Sequence, residues 1–258
     1  MNASIVSNRM WSVKYGLLVL RAVGFIESYK AGQMCMLSVS GMSLSSDPLL
    51  RRPFALYDAD GSEDTLSIVY AVAGRGTFLL SKQPVGAVLS LSLPQGRSFT
   101  SVKNSKAALI AGGAGIAPMH FLAKTLLNDG CDVTIFYGAR TAEELYPPLR
   151  EAPAPYEWVL CTEDGSYGHK GFTTPLFSER VDCFDVCYAC GPKPMMQSIQ
   201  AVCAQNNKPI EVSLEETMAC GIGVCCGCMV KINEDGVVGM KRCCTEGPVF
   251  SGHSVVWQ

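Results

Sequence analysis

The sequence predicts a multi-domain protein of the β plus α/β class: an antiparallel β-barrel, then a parallel-sheet α/β domain, then a small cysteine-rich module. Three observations predict this. The chain has 258 residues, more than the ~100–150 of a typical single domain. Short β-rich runs fill its first part, and apolar strands alternate with helical stretches in its middle. Its 13 cysteines crowd toward the C-terminus. We expect domain boundaries at 1–102, 103–207 and 208–258.

The composition limits the classes of function. Charged residues make up 17% of the chain, against ~25% in an average protein, so we expect part of the surface to be covered by a partner. The net charge of −2 provides no basic field for nucleic acid. No apolar run approaches the ~18 residues that cross a bilayer, so we expect no membrane association. The start lacks the pattern of a signal peptide, which predicts a cytoplasmic protein, where crowded cysteines bind metal or carry out redox chemistry.

The first unit is predicted from short strands with Gly, Pro, Asp and Ser between them. The strands are expected at residues 17–22, 34–39, 65–72 and 87–93. This spacing is typical of an antiparallel barrel or sandwich. No long helix is expected there, and residues 1–11 are read as polar and irregular.

The second unit is predicted from alternating strands and helices. Strands are expected at 107–111, 132–137, 158–161 and 186–189, and helices at 118–128, 141–149 and 194–205. Such alternation indicates βαβ units on a parallel sheet.

The strongest motif lies in the third unit. Cys220, Cys225 and Cys228 have the C-x4-C-x2-C spacing of plant-type [2Fe–2S] proteins, and either Cys243 or Cys244 would supply the fourth thiolate. The alternatives are a zinc site or buried thiols. Zinc sites favour paired C-x2-C knuckles, which the four-residue first interval does not match. Cys226 breaks the spacing and is interpreted as a small side chain.

A glycine turn follows the first strand of the α/β unit. Gly112, Gly113 and Gly115 precede Pro118, which suits a first helical turn. This context exposes backbone N–H groups to a pyrophosphate. The spacing is not the G-x-G-x-x-G fingerprint and no acidic residue ends the next strand, so a plain strand-to-helix connection remains open.

Two further segments are candidates for ligand binding. Cys190, Gly191 and Pro192 follow a strand whose carboxyl end lies where open α/β sheets bind ligands, although a cysteine there could serve packing alone. In the β-rich unit, the segment from Arg52 to Ala55 combines a cation, a proline and an aromatic ring, and Gly76–Thr77 lies further on. An arginine can bind phosphate and the ring can face a flat ligand, but by themselves these are ordinary surface residues.

In this order the motifs resemble those of the ferredoxin–NADP reductase superfamily. They are R-P-x-[S/A], G-x-G-T, G-G-x-G-x-A-P and C-G-P. The tail, with its segment from Cys244 to Phe250, is similar to that of electron-transfer subunits of type B dihydroorotate dehydrogenase. The resemblance extends over nearly the whole chain. It implies that the barrel holds FAD and that the α/β domain holds a nicotinamide nucleotide.

The resemblance also implies roles for single residues. Arg52 would pair with the FAD pyrophosphate, and Cys244 rather than Cys243 would be the fourth cluster ligand. The other implied flavin contacts are Pro53, Phe54, Ala55, Val69, Tyr70, Ala71, Gly76 and Thr77. The family usually has Ser at the position of Ala55 and Arg at that of Ala71, so the tightness of FAD binding is in question.

The resemblance favours NAD as the nucleotide. NADP-using relatives place Ser and Arg after the third α/β strand, where this chain has Glu163 and Asp164. A carboxylate hydrogen-bonds a ribose diol and repels a 2′-phosphate, so Asp164 is a predicted NAD-binding residue, unless these acids form a solvated loop. Cys190 and Gly191 would then lie near the nicotinamide.

The implied function is that of an electron-transfer subunit. Electrons would pass from an FMN-containing, dihydroorotate-oxidising partner through the cluster and FAD to NAD⁺, in pyrimidine biosynthesis, within a complex of two copies of each subunit. One alternative is the small subunit of a flavin-based NADH:ferredoxin or sulfide oxidoreductase. Another is a zinc-ribbon interaction module, which would purify colourless and without sulfide.

Overall fold

The computed structural model describes residues 1–24, 29–39, 47–146 and 155–257. A β-rich N-terminal unit packs against an α/β unit, and the cysteine-rich tail is joined to the α/β sheet. None of the helices in these ranges is long and apolar enough to span a membrane.

The N-terminal unit is built from antiparallel strands. Its strands are β1 (Asn2–Met10), β2 (Tyr15–Arg21), β3 (Met34–Leu37), β4 (Arg52–Ala55), β5 (Asp58–Asp60), β6 (Thr65–Ala71) and β7 (Val88–Ser90). Five of them form a sheet in the order β5-β6-β2-β1-β7, and β3 pairs with β4. Isolated bridges from Met34 to Gln95 and from Leu37 to Leu91 link the β3–β4 pair to the chain around β7. The one described helix in this unit, α1 (Arg75–Ser81), is short, as the sequence predicts.

The interpretation of residues 1–11 as irregular is wrong. Residues Asn2–Met10 form β1, which pairs with both β2 and β7. Ala3 and Ile5 point into the barrel core, and polar residues occupy most of the outward positions. With only two apolar residues facing inward, the alternation typical of a strand is weak, and tertiary pairing decides the conformation.

The α/β unit contains a seven-stranded sheet. Its strands are β8 (Lys106–Gly112), β9 (Asp132–Ala139), β10 (Glu157–Thr162), β11 (His169–Lys170), β12 (Val186–Cys190), β13 (Ile210–Ser213) and β16 (Val249–Ser251), in the order β11-β10-β9-β8-β12-β13-β16. All pairings are parallel except that of β16 with β13. The helices are α2 (Ile116–Asn128), α3 (Thr173–Ser178) and α4 (Lys193–Gln205). Residues 107–111 of β8 are fully buried because both faces of the sheet are covered.

The prediction of a helix that begins at residue 141 is wrong. The structure has a single 3₁₀ turn, Ala142–Glu144, after which Leu145 is extended. Residues 147–149 lie outside the described residues. Pro147 and Pro148 explain the early end, because a residue that precedes proline disfavours the helical conformation.

The tail is not separate from the α/β sheet. A hairpin of β14 (Met229–Glu234) and β15 (Val237–Arg242) follows the cysteine loop, and then β16 returns to pair with β13. The sheet therefore continues across the predicted boundary at 207/208. The boundaries themselves remain predictions.

Candidate functional site

The cysteine loop is a compact turn that lies against the barrel. Gly221 and Gly223 have φ values of +69° and +80°, which glycine adopts without strain. A Cβ at Gly221 would lie 2.6 Å from Cγ of Met36 in β3. Met36 is the register partner of Pro53 in β4. The loop thus contacts β3, the strand that pairs with β4, and β4 carries several of the predicted flavin contacts.

The four predicted ligands lie as two pairs of neighbouring thiols. Cys225 is next to Cys220, and Cys244 is next to Cys228. The Cys220 sulfur accepts backbone N–H groups from Cys225 at 3.4 Å and Ile222 at 3.5 Å. These donors lower the pKa of Cys220 to about 6, so it is readily available as a thiolate.

This arrangement fits a two-iron cluster. A [2Fe–2S] cluster is held by four cysteine thiolates shared between two irons, and two pairs of thiols meet that requirement.

The neighbouring cysteines are placed differently. The Cys243 thiol is buried and donates to the carbonyl of Leu214 at 3.4 Å. Burial raises its pKa. Cys226 is exposed, with φ of +54°. Neither contradicts the choice of Cys244, which remains a prediction.

A cavity of about 560 Å³ lies at the carboxyl ends of β8, β9 and β10. Of the residues predicted for nucleotide binding, Gly112, Gly113 and Pro192 line it. Gly115 does not line the cavity and is closely packed, since a Cβ there would collide with the carbonyl oxygen of Cys190. Pro118 is buried in the first turn of α2.

Cys190 is buried behind this glycine turn, with 1% of its surface exposed. Burial is the first cause that raises its pKa well above the ordinary value, and the carboxylate of Glu215 is the second. The thiol therefore remains protonated and is not suited to act as a nucleophile. Cys190 does not line the cavity, so its place beside a nicotinamide remains a prediction. Gly191, with φ of +156°, directs the chain from β12 into α4.

Glu163 and Asp164, the two acidic residues after β10, have different surroundings. Glu163 lines the cavity. Asp164 closes a turn, where its Oδ1 accepts the Ser166 backbone N–H at 2.9 Å and hydroxyl at 2.6 Å. These hydrogen bonds lower the pKa of Asp164. The geometry favours Glu163 over Asp164 as the residue that faces a nucleotide.

Two of the predicted flavin residues, Arg52 and Gly76, meet where β4 approaches α1. A Cβ at Gly76 would lie 2.7 Å from Nε of Arg52, so the guanidinium lies directly on the helix start. The Thr77 hydroxyl is engaged locally, because it accepts the N–H of Ala73 at 2.9 Å and that of Gly74 at 3.2 Å. Arg52 and the backbone of α1 are therefore the groups placed to meet a phosphate.

The three predicted flavin contacts of strand β6 lie on two faces, because side chains alternate along a strand. Val69 packs with the core of the α/β side, whereas Tyr70 belongs to the barrel core and donates its hydroxyl to Asn8 Oδ1 at 2.9 Å. Ala71 is on the same face as Val69, two residues away. The Tyr70 side chain is therefore occupied inside the barrel, and Phe54 is likewise buried there.

Sequence reasoning missed several residues that line the cavity at the carboxyl ends of β8, β9 and β10. Lys14 and Tyr15 reach it from the barrel, and Glu144 and Phe172 from loops of the α/β unit. None belongs to a local motif. The signal that could have identified the first two was the weakly alternating strand β1, which places the following turn against the sheet.

Comparison with known proteins first defines the class. A model of the oxidoreductase NAD-binding domain matches residues 109–201. A model of the iron–sulfur cluster binding domain of dihydroorotate dehydrogenase B matches residues 215–256. The chain is an NAD-binding oxidoreductase with an iron–sulfur domain, and the zinc-ribbon alternative is not supported.

The relatives then define the family. A "Dihydroorotate dehydrogenase B (NAD(+)), electron transfer subunit" from Desulforamulus reducens is 40% identical over 83% of this chain and 83% of the relative. That of Caldanaerobacter subterraneus is 33% identical over 100% of this chain and 98% of the relative. A homologue of this subunit from Aquifex aeolicus is 39% identical over 99% and 98%. This chain belongs to the family of dihydroorotate dehydrogenase B (NAD⁺) electron transfer subunits.

Solved structures confirm the fold. An NADH-dependent reduced ferredoxin-NADP oxidoreductase, described in terms of flavin-based electron bifurcation, superposes with a TM-score of 0.86 at 27% identity, covering 99% of this chain and 90% of the other. A ferredoxin reductase of carbazole 1,9a-dioxygenase has a TM-score of 0.70 at 21% identity, covering 82% and 68%, and shows the fold alone. The predicted fold class, resemblance and cofactor set of FAD, [2Fe–2S] and NAD are confirmed. The oxidoreductase alternative is less favoured, since relatives of higher identity carry the dihydroorotate dehydrogenase name.

Proposed function

We propose that this chain connects a dihydroorotate-oxidising, FMN-containing partner subunit to NAD⁺ through a [2Fe–2S] cluster and FAD. When bound together, these groups convert single-electron transfer into the two-electron hydride chemistry of NAD. The observation that carries the proposal is the placement of the cysteine loop. Gly221 lies against Met36 of β3, and Met36 pairs with Pro53 of β4. Both proposed cofactor sites therefore adjoin the β3–β4 strand pair.

The chain's own residues have binding and orienting roles in this proposal. Cys220, Cys225, Cys228 and Cys244 would hold the cluster. Arg52 would neutralise the flavin pyrophosphate, beside the backbone of Gly76.

The nucleotide would lie in the cavity at the sheet edge. Gly112 and Gly113 would meet its pyrophosphate and Glu163 its ribose. The buried Cys190 would border the nicotinamide.

The surface around the cysteine loop supports a partner subunit. Ile222 and Val224 are 61% and 75% exposed beside the predicted ligands. Exposed apolar side chains at a redox site are suited to be covered by another protein. We place dihydroorotate oxidation on that partner, the stoichiometry at two of each subunit, and the complex in the cytoplasm.

The cluster assignment is tested with two variants of neighbouring cysteines. Cys220→Ser removes a thiolate and is expected to abolish the cluster. Cys226→Ser changes an exposed thiol outside both pairs and should leave it intact. Iron and acid-labile sulfide are measured on anaerobically purified protein. Equal loss in both variants would show that the ligand set is wrong.

The complete function is tested with the reconstituted complex. Co-purification with the FMN-containing subunit should give dihydroorotate-dependent reduction of NAD⁺ that neither subunit shows alone. Ferredoxin-dependent NADH oxidation without any dihydroorotate activity would instead support the ferredoxin oxidoreductase alternative. A colourless, zinc-containing protein would overturn the redox function.

A further inference from the structure

The turn between β1 and β2 enters the nucleotide cavity from the barrel. Ser12 fixes this turn, because its Oγ accepts the backbone N–H groups of Lys14 at 3.2 Å and Tyr15 at 3.0 Å. The Tyr15 ring stacks on Trp11 at 5.8 Å, and Trp11 meets Tyr146 of the α/β unit edge-on at 5.0 Å. The turn is therefore held in place by both units.

Tyr15 places this turn directly over the glycine turn. Its Oη lies 2.7 Å from the position that a Cβ of Gly113 would take, and Gly113 has φ of +55°. Lys14 precedes Tyr15 and lines the same cavity as Gly112 and Gly113. A lysine from the barrel thus borders the same cavity as the backbone that is predicted to meet a pyrophosphate.

The charges of the cavity leave the Lys14 ammonium available. Among the described lining residues, the cations are Lys14 and Arg140, and the anions are Glu144 and Glu163. Lys14 Nζ lies 3.5 and 3.4 Å from the two carboxylate oxygens of Glu144. Charge-assisted hydrogen bonds are usually ~2.7–2.9 Å long, so the pair is loose, and an ammonium has three donors to share.

We propose that Lys14 binds the pyrophosphate of NAD, for which it must exchange its loose contact with Glu144. The barrel would then contribute a residue to the nucleotide site as well as holding the flavin. This inference rests on the proposed role of the cavity as the NAD site. It assigns a binding residue that no motif in the α/β unit supplies.

The opposing explanation is that the Lys14–Glu144 pair only braces the two units. The molecule contains a matched brace, in which Lys124 of α2 pairs with Asp58 of β5 at 2.6 Å. Neither residue of that pair lines the cavity. Lys124→Met is therefore a control for the loss of a bridging ion pair.

The test is calorimetric titration of the full-length, cofactor-loaded protein with ADP-ribose, which carries the pyrophosphate but no nicotinamide. Lys14→Met should raise the Kd by about 10-fold, the loss expected for one charged hydrogen bond. Glu144→Gln should leave the Kd unchanged or lower it by about 2-fold, since it removes a competing carboxylate. Lys124→Met should have no effect. In turnover with NADH, Lys14→Met should raise KM with kcat unchanged.

Three results would overturn the proposal: an unchanged Kd in Lys14→Met, equal weakening in Lys14→Met and Lys124→Met, or equal weakening in Lys14→Met and Glu144→Gln. Thermal unfolding of each variant verifies that it is folded. If the wild-type protein itself does not bind ADP-ribose, the cavity is not the NAD site. That result is distinct from any variant effect, and the proposed function then fails together with this inference.

Discussion

At the scale of single residues, Cys243 and Cys244 are adjacent in sequence but point in different directions. Cys243 donates to the Leu214 carbonyl, and its backbone N–H bonds to Cys228 at 2.9 Å, which turns the Cys244 thiol toward Cys228. Spacing alone left the two as equal candidates. Cys244 is the better candidate because its thiol lies next to that of Cys228, whereas the Cys243 thiol is bonded to Leu214.

This difference gives the first prediction. Cys244→Ser should reduce iron and sulfide to near zero. Cys243→Ser should retain the cluster and lose about 1 kcal/mol of unfolding free energy, because a serine hydroxyl keeps the bond to Leu214 in a site shaped for sulfur. The measurements are iron and sulfide content and urea unfolding of the apoprotein. Loss of the cluster in Cys243→Ser alone would reverse the assignment.

The second prediction concerns Glu163 and Asp164. Glu163→Gln should raise the KM for NADH by about 10-fold and reduce the preference for NADH over NADPH, because a carboxylate that faces the ribose is lost. Asp164→Ala should leave that preference unchanged and lower the stability only slightly, since its exposed carboxylate bonds to Ser166 in a turn. Stopped-flow reduction by the two nucleotides measures the preference. A change of preference in Asp164→Ala alone would restore the original assignment to that residue.

At the scale of secondary-structure elements, helix α1 and strand β4 together form the phosphate end of the proposed flavin site. The helix start can approach Arg52 closely only because residue 76 is a glycine. Gly74, at the cap of the same helix, has open space around it and an extended backbone that any residue adopts. The two glycines therefore form a matched pair for substitution.

The third prediction follows from this pair. Gly76→Ala should displace the Arg52 side chain and weaken FAD binding by about 10-fold, through loss of a charged contact to phosphate. Gly74→Ala should retain the wild-type ratio of flavin to protein. Absorbance of the purified proteins and FAD titration of the apoproteins give these values. Equal flavin affinity in both variants would remove Arg52 from the site.

The elements also show what sequence patterns can predict. The α/β strands and the helices 118–128 and 194–205 were predictable because buried parallel strands are continuous apolar runs and the helices follow at regular spacing. Strands β1 and β16 were not, since each also needs a partner that is distant in the chain, β7 for β1 and β13 for β16. The motif residues were identified, but Lys14 and Glu144 were not, because only the packing of the barrel on the sheet brings them to the cavity.

At the scale of the whole molecule, the contact between the two units includes a partly buried histidine. His120 of α2 stacks on Tyr57 of the barrel at 4.0 Å, and its Nδ1 lies 3.2 Å from the Tyr57 carbonyl oxygen. Burial lowers the pKa of His120 from its ordinary 6.5. The Tyr57 carbonyl and Asp58 act in the opposite direction, and Lys124 adds to the lowering. The neutral imidazole is therefore the form that the interface accepts.

The fourth prediction is a dependence of stability on pH. Because the unfolded chain binds a proton at His120 more readily than the folded chain, the stability contributed by this group is fully present above about pH 6.5 and is lost as the pH falls below it. His120→Phe keeps a ring against Tyr57 and removes the titration. Urea unfolding at about pH 8 and about pH 5.5 should show a larger loss of stability in wild type than in the variant. Equal losses in the two proteins would mean that the interface tolerates the charged histidine.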